Sequence, residues 1–569
     1  MATYYMRADG VAANKEAATS ADAASTAMSM STHNSETFSA GDVIVLSTAG
    51  GVYRGTSGAV MTPPSNGASG NQIVYRRDPA DSTKPIISSA ADLTDTATYR
   101  WTASGSGTNE YYCELLAGGN PGLTDPNELY MDKVRLDKGT LGLLADHEWE
   151  YGDNDTLGYS TVYIADATGD PDTSGVMIEA PQANNAINVN GDDYLTFDGI
   201  ETQMGKSNGI IVAGGTTGLA VQNCVSAYNK TNGILIFDAV DAVGTNMLFA
   251  NNECHNNIDA GITMLEENNN ITFRGNVCHD NCLLGTLGGN VGGMHIKCDD
   301  GKQSDNVTVE NNICYDNGET GVAASTGFGF YIDTLGTGIV VRYNKSYGNN
   351  ADGFVYEWTD SGAFYYNVTY SNNRHGFAFI RRCNSNTIYN NTSYGNGITD
   401  SSGANFIFNG VSEGPTFTES NNLIKNNIGF GANGKEVRVH SGWANDGTHG
   451  SGNVYDANIL ADQAGSFHNW NGTLYASASA WEAAASGVTN TDGSDPDVKD
   501  AANADFMLNP ESPAVNAGID VGLSRDINGN PVPEGPAPDL GAYEFSSFRI
   551  ITRSVAFSVT GTITYTLGL

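Results

Sequence analysis

The 569-residue sequence is poor in basic residues, proline, cysteine and long apolar runs, and each scarcity excludes something. Lys plus Arg is 27 against 64 for Asp plus Glu, a formal charge of −37. A phosphate-binding face needs clustered Lys and Arg, so nucleic acid is excluded as a partner. The same charge weakens non-specific attraction to an acidic polysaccharide, which would need a local basic pocket or bridging calcium. No run approaches the roughly 20 apolar residues of a membrane span. Met1-Ala2-Thr3-Tyr4-Tyr5-Met6-Arg7 lacks the charged-then-apolar secretory pattern. The expectation is that this export route is not used, or that a signal has been removed. Eight cysteines in this length do not make a disulfide scaffold. There is no Gly-rich phosphate loop, paired-Cys metal motif or Gly-x-Ser-x-Gly elbow.

What the chain has is glycine, 69 residues of it, with abundant asparagine and only 16 prolines. Length alone would suggest three or four globules. Gly and Asn tolerate positive φ and suit short strands joined by tight turns, and one repeat array can absorb several hundred residues. Aligning on asparagine gives Asn252-Glu-Cys254-His-Asn-Asn257, Asn276-Val-Cys278-His-Asp-Asn281 and Asn312-Ile-Cys314-Tyr-Asp-Asn317. Asn344-Lys-Ser346 and Asn367-Val-Thr369 continue the series, with looser copies at Asn223, Asn390 and Asn427. The offsets are 29, 24, 36, 32, 23, 23 and 37 residues, a fixed turn of about 23 with loop insertions. Between the asparagines lie strand-like stretches such as Ile271-Thr-Phe-Arg and Val307-Thr-Val-Glu.

Each coil buries its inward residues only when another stacks on it, at about 4.8 Å per strand. Stacked Asn side chains can then bond in a ladder, and the crossovers should be right-handed. The expected fold is all-β, a right-handed parallel β-helix with short capping helices. The column two residues after the ladder Asn reads Cys254, Cys278, Cys314, Ser346, Thr369, Thr392, a stack of small inward residues rather than a thiol metal site. The sequons at Asn344, Asn367 and Asn390 coincide with this inward ladder, which favours the structural reading. Residues 1–40 read as an N-terminal cap, with a possible helix in the Ala-rich stretch 11–30; 41–475 as the β-helix; 476–545 as a C-terminal cap and closing segment, with a second helix at 476–485. Residues 546–569 read as a terminal strand for assembly or anchoring, or equally as an edge strand folded back on the solenoid.

Ala40-Gly-Asp-Val-Ile-Val-Leu, Gly51-Val-Tyr-Arg-Gly55, Gly70-Asn-Gln-Ile-Val-Tyr-Arg-Arg77 and Tyr194-Leu-Thr-Phe-Asp-Gly199 resemble the coils of pectate-lyase-like right-handed β-helix proteins. Asp505-Phe-Met-Leu-Asn-Pro-Glu-Ser-Pro-Ala-Val-Asn-Ala-Gly518, Asp526-Ile-Asn-Gly529 and Pro538-Asp-Leu-Gly-Ala-Tyr-Glu544 are similar to the terminal segment of bacterial and phage members. The resemblance covers most of residues 35–545 and implies the fold. The superfamily includes lyases, hydrolases, phage tailspikes and non-catalytic proteins, so it implies no single activity.

Aligning instead on the Gly that opens one strand gives Gly261-Ile-Thr-Met-Leu-Glu-Glu, Gly293-Met-His-Ile-Lys-Cys-Asp-Asp, Gly329-Phe-Tyr-Ile-Asp, Gly353-Phe-Val-Tyr-Glu-Trp-Thr-Asp and Gly376-Phe-Ala-Phe-Ile-Arg-Arg. Odd positions are apolar and should point inward. Even positions should point out, which stacks Lys297, Asp333 and Glu357 in one column. His295 and Tyr331 flank it on one side, Glu267, Asp299 and Arg382 on the other, with Trp358 and Asp360 downstream. Such a flank suits a sugar chain, whose hydroxyls need polar partners and whose faces stack on rings. In a glycoside hydrolase Asp333 and Glu357 would be the carboxylate pair. In a polysaccharide lyase Lys297 would be the base, with Arg382 or calcium neutralising a uronate. The acidic surface and apolar neighbours Val355 and Ile380 favour the hydrolase slightly, against an ordinary solvated face.

No cofactor is required by this reading. Calcium could sit at Asp299-Asp300-Gly-Lys-Gln-Ser-Asp305 or Asp492-Gly-Ser-Asp-Pro-Asp497, although neither has calcium-hand spacing. The expected partner is a polysaccharide, and the setting a phage tailspike depolymerase, homotrimeric, on a virion or extracellular. The competing class is a non-catalytic structural or receptor-binding protein on the same scaffold.

Overall fold

A computed structural model describes residues 1–154, 156–237, 243–283, 291–298, 301–319, 326–400, 402–410, 418–462 and 468–546. Three long sheets run along one axis, and each coil contributes a short strand to each of them. Sheet I has 14 strands, sheet II 12 and sheet III 13. Their neighbours pair in parallel, as in Ile271–Arg274 from Asn268–Arg274 against Val307–Glu310, except for the final hairpin of sheet III between His468–Trp470 and Thr473–Tyr475. The chain is a right-handed parallel β-helix. Its main core is the stacked inward column of each sheet, for example Phe249, Phe273, Val309 and Val341.

Buried polar ladders hold the corners. One runs through Asn252, Asn276, Asn312, Asn344, Asn367, Asn391, Asn427 and Asn458, where each amide oxygen accepts from the preceding Asn. A second runs in the same way from Asn229 through Asn257, Asn281, Asn317, Asn349, Asn372 and Asn396 to Asn405. The repeat alignment is off by one at two places. Asn391, not Asn390, is in the ladder, so Ser393 and not Thr392 follows Thr369 in the small-residue column. Asn223 lies outside the ladder too; Cys224 takes that rung, and its N–H donates to Asn252 Oδ1 at 3.0 Å. Asn223 and Asn390 instead have left-handed backbones, φ 55° and 52°, which turn the strand at the corner. Cys254, Cys278 and Cys314 pair in register and are fully buried.

The strand Thr3–Met6 pairs in parallel with Val43–Leu46 in sheet I. The Ala-rich stretch 11–30 does not form a helix. It makes two single 3₁₀ turns, Lys15–Ala17 and Ala24–Thr26, and the α-helix is Met30–Ser35, capped by Ser29. Alanine alone does not nucleate a helix against the Asn, Ser and Asp neighbours of this stretch, which favour turns. Ala478–Ala484 is helical and seals the far end with Trp481.

Between Ala90 and Pro181 the chain leaves the coils and builds a separate module of mostly antiparallel strands. It has its own core around Leu93, Trp101, Cys113, Trp149 and Ile164. The module is tied to the helix by Arg54–Glu179 at 2.8 Å, Lys206 Nζ donating to Asp125 O at 2.6 Å, and Tyr130 donating to Tyr228 O at 3.1 Å. Residues 505–545 fold back over the outer face of sheet II, burying Phe506, Leu540 and Tyr543 against Val368, Ile428 and Phe430. Of the terminal stretch 546–569, residues 547–569 lie outside the described residues.

Candidate active site

Sheet III carries the site on the strands Gly292–Lys297, Phe328–Asp333, Phe354–Glu357 and Phe377–Ile380. Their inward phenylalanines stack through the core, Phe330 on Phe354 at 4.6 Å, Phe354 on Phe377 at 5.1 Å and Phe377 on Phe406 at 5.2 Å between centroids. This aromatic column fixes the register, because a slip of one residue would turn every ring outward. The opposite face then has Lys297 beside Asp333 and Asp333 beside Glu357 on successive rungs. His295 lies beside Tyr331 in the neighbouring column, which continues through Val355 and Ala378.

The face is not the open, solvated strand that alternation alone suggests. Asp333 is 5 %, Glu357 1 % and Tyr331 3 % exposed, and Val355 and Ala378 are buried beside them in a cluster with Phe328, Ala351 and Ile407. Two carboxyl groups on adjacent rungs, out of water, are not ordinary surface charges. Burial, with Asp333 adding to it, pushes the Glu357 carboxyl up to about 7. Tyr331 donates its hydroxyl proton to Glu357 Oε1. From the following rung, Arg381 Nε lies 3.5 Å from Glu357 Oε2. Thr334 Oγ1 donates to Asp333 Oδ1 at 2.7 Å. His295 packs edge-on against Tyr331 at 5.3 Å, and burial with Lys297 nearby pushes its imidazole down to about 4. The ring is therefore neutral near pH 7, and its Nε2 has no hydrogen-bond partner among the described residues.

Arg381 was not expected at the site. Its odd position implies an inward side chain, but it has a left-handed backbone, φ 60°, as do Thr334 at 53° and Trp358 at 50° on the two preceding rungs. This turn ends each strand and breaks the two-residue alternation. The signal available was a charged residue at an apolar position of the repeat, in Phe379-Ile380-Arg381-Arg382.

Beside the carboxyl pair lies a cleft of about 610 Å³ lined by Glu267, Lys302, Gln303, Thr334, Trp358 and Arg382. Its cations face carboxylates: Lys302 pairs with Glu266 at 2.5 Å and Arg382 with Asp360 at 3.3 Å. Asp360 also accepts from the Asn384 backbone and side chain at 2.8 and 3.0 Å. Thr359 does not point outward; its buried hydroxyl donates to Glu357 O and accepts from Leu335 N. Asp299, with Asp300 of the first acid-rich turn, lies outside the described residues. In the second turn Asp492 accepts from Ser494 N at 2.8 Å and Asp495 from Asp497 N at 2.9 Å, so these carboxylates cap their own turn. Among the described residues no group of three or more His, Cys, Asp or Glu is gathered as a metal site.

A family model described as "Right handed beta helix region" matches residues 185–333. A comparison with curated proteins found no match. Among solved structures, one described as "The complex structure of XylC with xylose" is similar over 96 % of this chain and 98 % of that one, with a TM-score of 0.65 at 12 % identity. The pectate lyase Pel9A is similar over 96 % and 97 %, with a TM-score of 0.47 at 16 % identity. A structure described as "Glycoside hydrolase" covers 70 % of this chain and 95 % of its own, with a TM-score of 0.49 at 9 % identity. The family match and the likeness to the XylC structure agree on the fold, a right-handed parallel β-helix.

Proposed function

We propose that the protein is a glycoside hydrolase that cleaves a neutral glycan with retention of configuration, Asp333 acting as nucleophile and Glu357 as general acid and then base. The observation that carries this reading is the buried pair on adjacent rungs, one carboxyl raised to about 7. Strands stack at about 4.8 Å, which suits the roughly 5 to 5.5 Å separation of retaining pairs better than the 6.5 to 9.5 Å of inverting ones. In the first step Asp333 attacks the anomeric carbon while Glu357 gives its proton to the departing oxygen. The ester at Asp333 is uncharged, so its share of the upward push on the Glu357 carboxyl, which adds to that of burial, is gone, and the carboxyl stays ionised and available as the base. Glu357 then takes a proton from water, whose oxygen displaces Asp333 and releases the sugar.

Elimination fits less well. A lyase needs a cation to neutralise a uronate, and Arg381, Arg382 and Lys302 each face a carboxylate of this chain. The indole of Trp358 offers the cleft an aromatic face for a sugar ring. The xylose of the XylC structure places xylosides first in a substrate panel.

The test is a panel of xylo-, gluco-, galacto- and arabino-oligosaccharides with uronate polymers alongside, read by reducing ends and by absorbance near 235 nm. Reducing ends without that absorbance, lost in Asp333→Asn and in Glu357→Gln with folding intact, support the assignment. Absorbance rising with the reducing ends moves the chemistry to Lys297 and elimination. Silence of the folded protein across the panel favours a binding or structural role, including that of a virion protein.

A further inference from the structure

Glu357 is held from both sides along the helix axis. The rung before it supplies Tyr331, whose hydroxyl donates to Oε1, and the rung after it supplies Arg381, whose Nε is 3.5 Å from Oε2. Tyr331 is itself held, edge-on to Phe328 at 5.1 Å and to His295 at 5.3 Å. The Arg381 guanidinium is placed by a left-handed residue that an L side chain adopts only at a cost. One donor therefore fixes Oε1, while Oε2 is buried, takes no hydrogen bond among the described residues and faces the Arg381 cation.

We propose that Tyr331 is a positioning residue that dictates which oxygen of Glu357 carries the catalytic proton. This rests on the hydrolase reading above. A protonated carboxyl has one O–H and one carbonyl oxygen. With Oε1 accepting from Tyr331, the proton of the acid form resides on Oε2, and it is this proton that goes to the glycosidic oxygen as the bond to the anomeric carbon breaks. Once the proton has left, Oε2 is anionic and Arg381 stabilises it. The same arrangement readies Oε2 to take a proton from water in the second step. Lys297 and Asp333 face the carboxyl from the same column, the first favouring its charged form and the second opposing it.

The test compares leaving groups in the full-length protein. A 2,4-dinitrophenyl glycoside departs without a proton, whereas the disaccharide of the same sugar needs one. For each sugar cleaved in the panel, kcat/KM is measured on both substrates across pH for wild type, Tyr331→Phe and Glu357→Gln. Losing one hydrogen bond to a charged group corresponds to roughly ten- to hundredfold. Tyr331→Phe should lose about that on the disaccharide and less than about threefold on the aryl glycoside, since acid catalysis is absent there. Its basic limb should move to higher pH, because the hydroxyl favours the carboxylate. A merely structural role would depress both substrates alike and leave the limb in place. If Tyr331→Phe does this while Glu357→Gln retains the leaving-group split, the proposal is overturned and the hydrolase reading stands. If Glu357→Gln shows no split, or the folded wild type cleaves nothing, the hydrolase reading fails and takes the proposal with it. Should Tyr331→Phe not fold, Arg381→Gln serves instead. The limb should again move to higher pH, and an unmoved limb overturns the two-sided arrangement.

Discussion

Replacing Asn312 by Ala tests whether the asparagine ladder or the apolar core governs local stability. Asn312 is fully buried. Its Oδ1 accepts from Asn276 N at 2.8 Å and Asn276 Nδ2 at 2.9 Å, and its Nδ2 donates to Phe273 O and Asn344 Oδ1, both at 3.0 Å. The substitution removes all four bonds. Asn276 Nδ2 keeps a bond to Phe249 O and Asn344 Oδ1 keeps one from Asn312 N, so the damage concentrates on Asn276, whose N–H and second amide hydrogen lose their acceptor. Each orphaned buried donor costs about 1 to 3 kcal/mol, giving about 4 kcal/mol for the pair. Cys314→Ala is the control: equally buried, two residues along, it removes one sulfur and orphans no amide, for about 1 kcal/mol. A solenoid unfolds in segments, so urea unfolding should be read together with hydrogen exchange. Faster exchange in Asn312→Ala should centre on the coils from Ile271 to Tyr347. If Asn312→Ala is no worse than Cys314→Ala, the ladder is not what holds the corners.

With its carboxyl raised to about 7, Glu357 must stay protonated to act as the acid, so kcat/KM should be flat at mildly acidic pH and fall above about pH 7. Lys297→Met removes a cation that favours the carboxylate, so the limb should move upward, and a downward move in a pH–rate profile would contradict the column geometry. Glu436, fully buried and bonded by Asn405 Nδ2 at 2.6 Å and Ala432 N at 3.0 Å, is also pushed up to about 7 by burial. Its folded value exceeds its unfolded one, so stability is greatest below about pH 4.5 and declines by about 3 kcal/mol as pH rises through 7. Glu436→Gln should narrow the gap in melting temperature between pH 5 and pH 8; an unchanged gap refutes the assignment. The eight cysteines are free and buried, so a thiol reagent should find none in the native protein and eight after unfolding.

The parts of this molecule legible in its sequence are those governed by a short period. Stacking coils must superpose equivalent positions, so Asn252, Asn276 and Asn312 could be aligned as a ladder, and the apolar alternation around Phe330 and Phe354 sufficed to place Asp333 beside Glu357. The period fails wherever the backbone leaves the β region. At Asn223 and Asn390 a left-handed residue shifts the count by one, and at Arg381 the same conformation brings to the acid a side chain that alternation assigns to the core. The module between Ala90 and Pro181 was missed for another reason: it has no period of its own to align, and only pairing distinguishes an antiparallel sheet from a rung.

Burial was the largest omission, and it matters most for function. Alternation says which side of a strand a residue takes, but not whether that side meets water. Asp333 and Glu357 take the outer side and are buried all the same, among Tyr331, Val355 and Ala378. Desolvation on the outer face of a solenoid, with Asp333 one rung away, is what sets Glu357 apart from an ordinary surface charge and lets it hold its proton near neutrality. The helix supplies the spacing between them through its own rung height, so the pair needs no special loop to set its distance, only a face kept dry and donors to orient it. Tyr331, one rung before Glu357, meets the second requirement as the donor, and Arg381, one rung after, adds the facing cation, both through the same repeat that builds the fold.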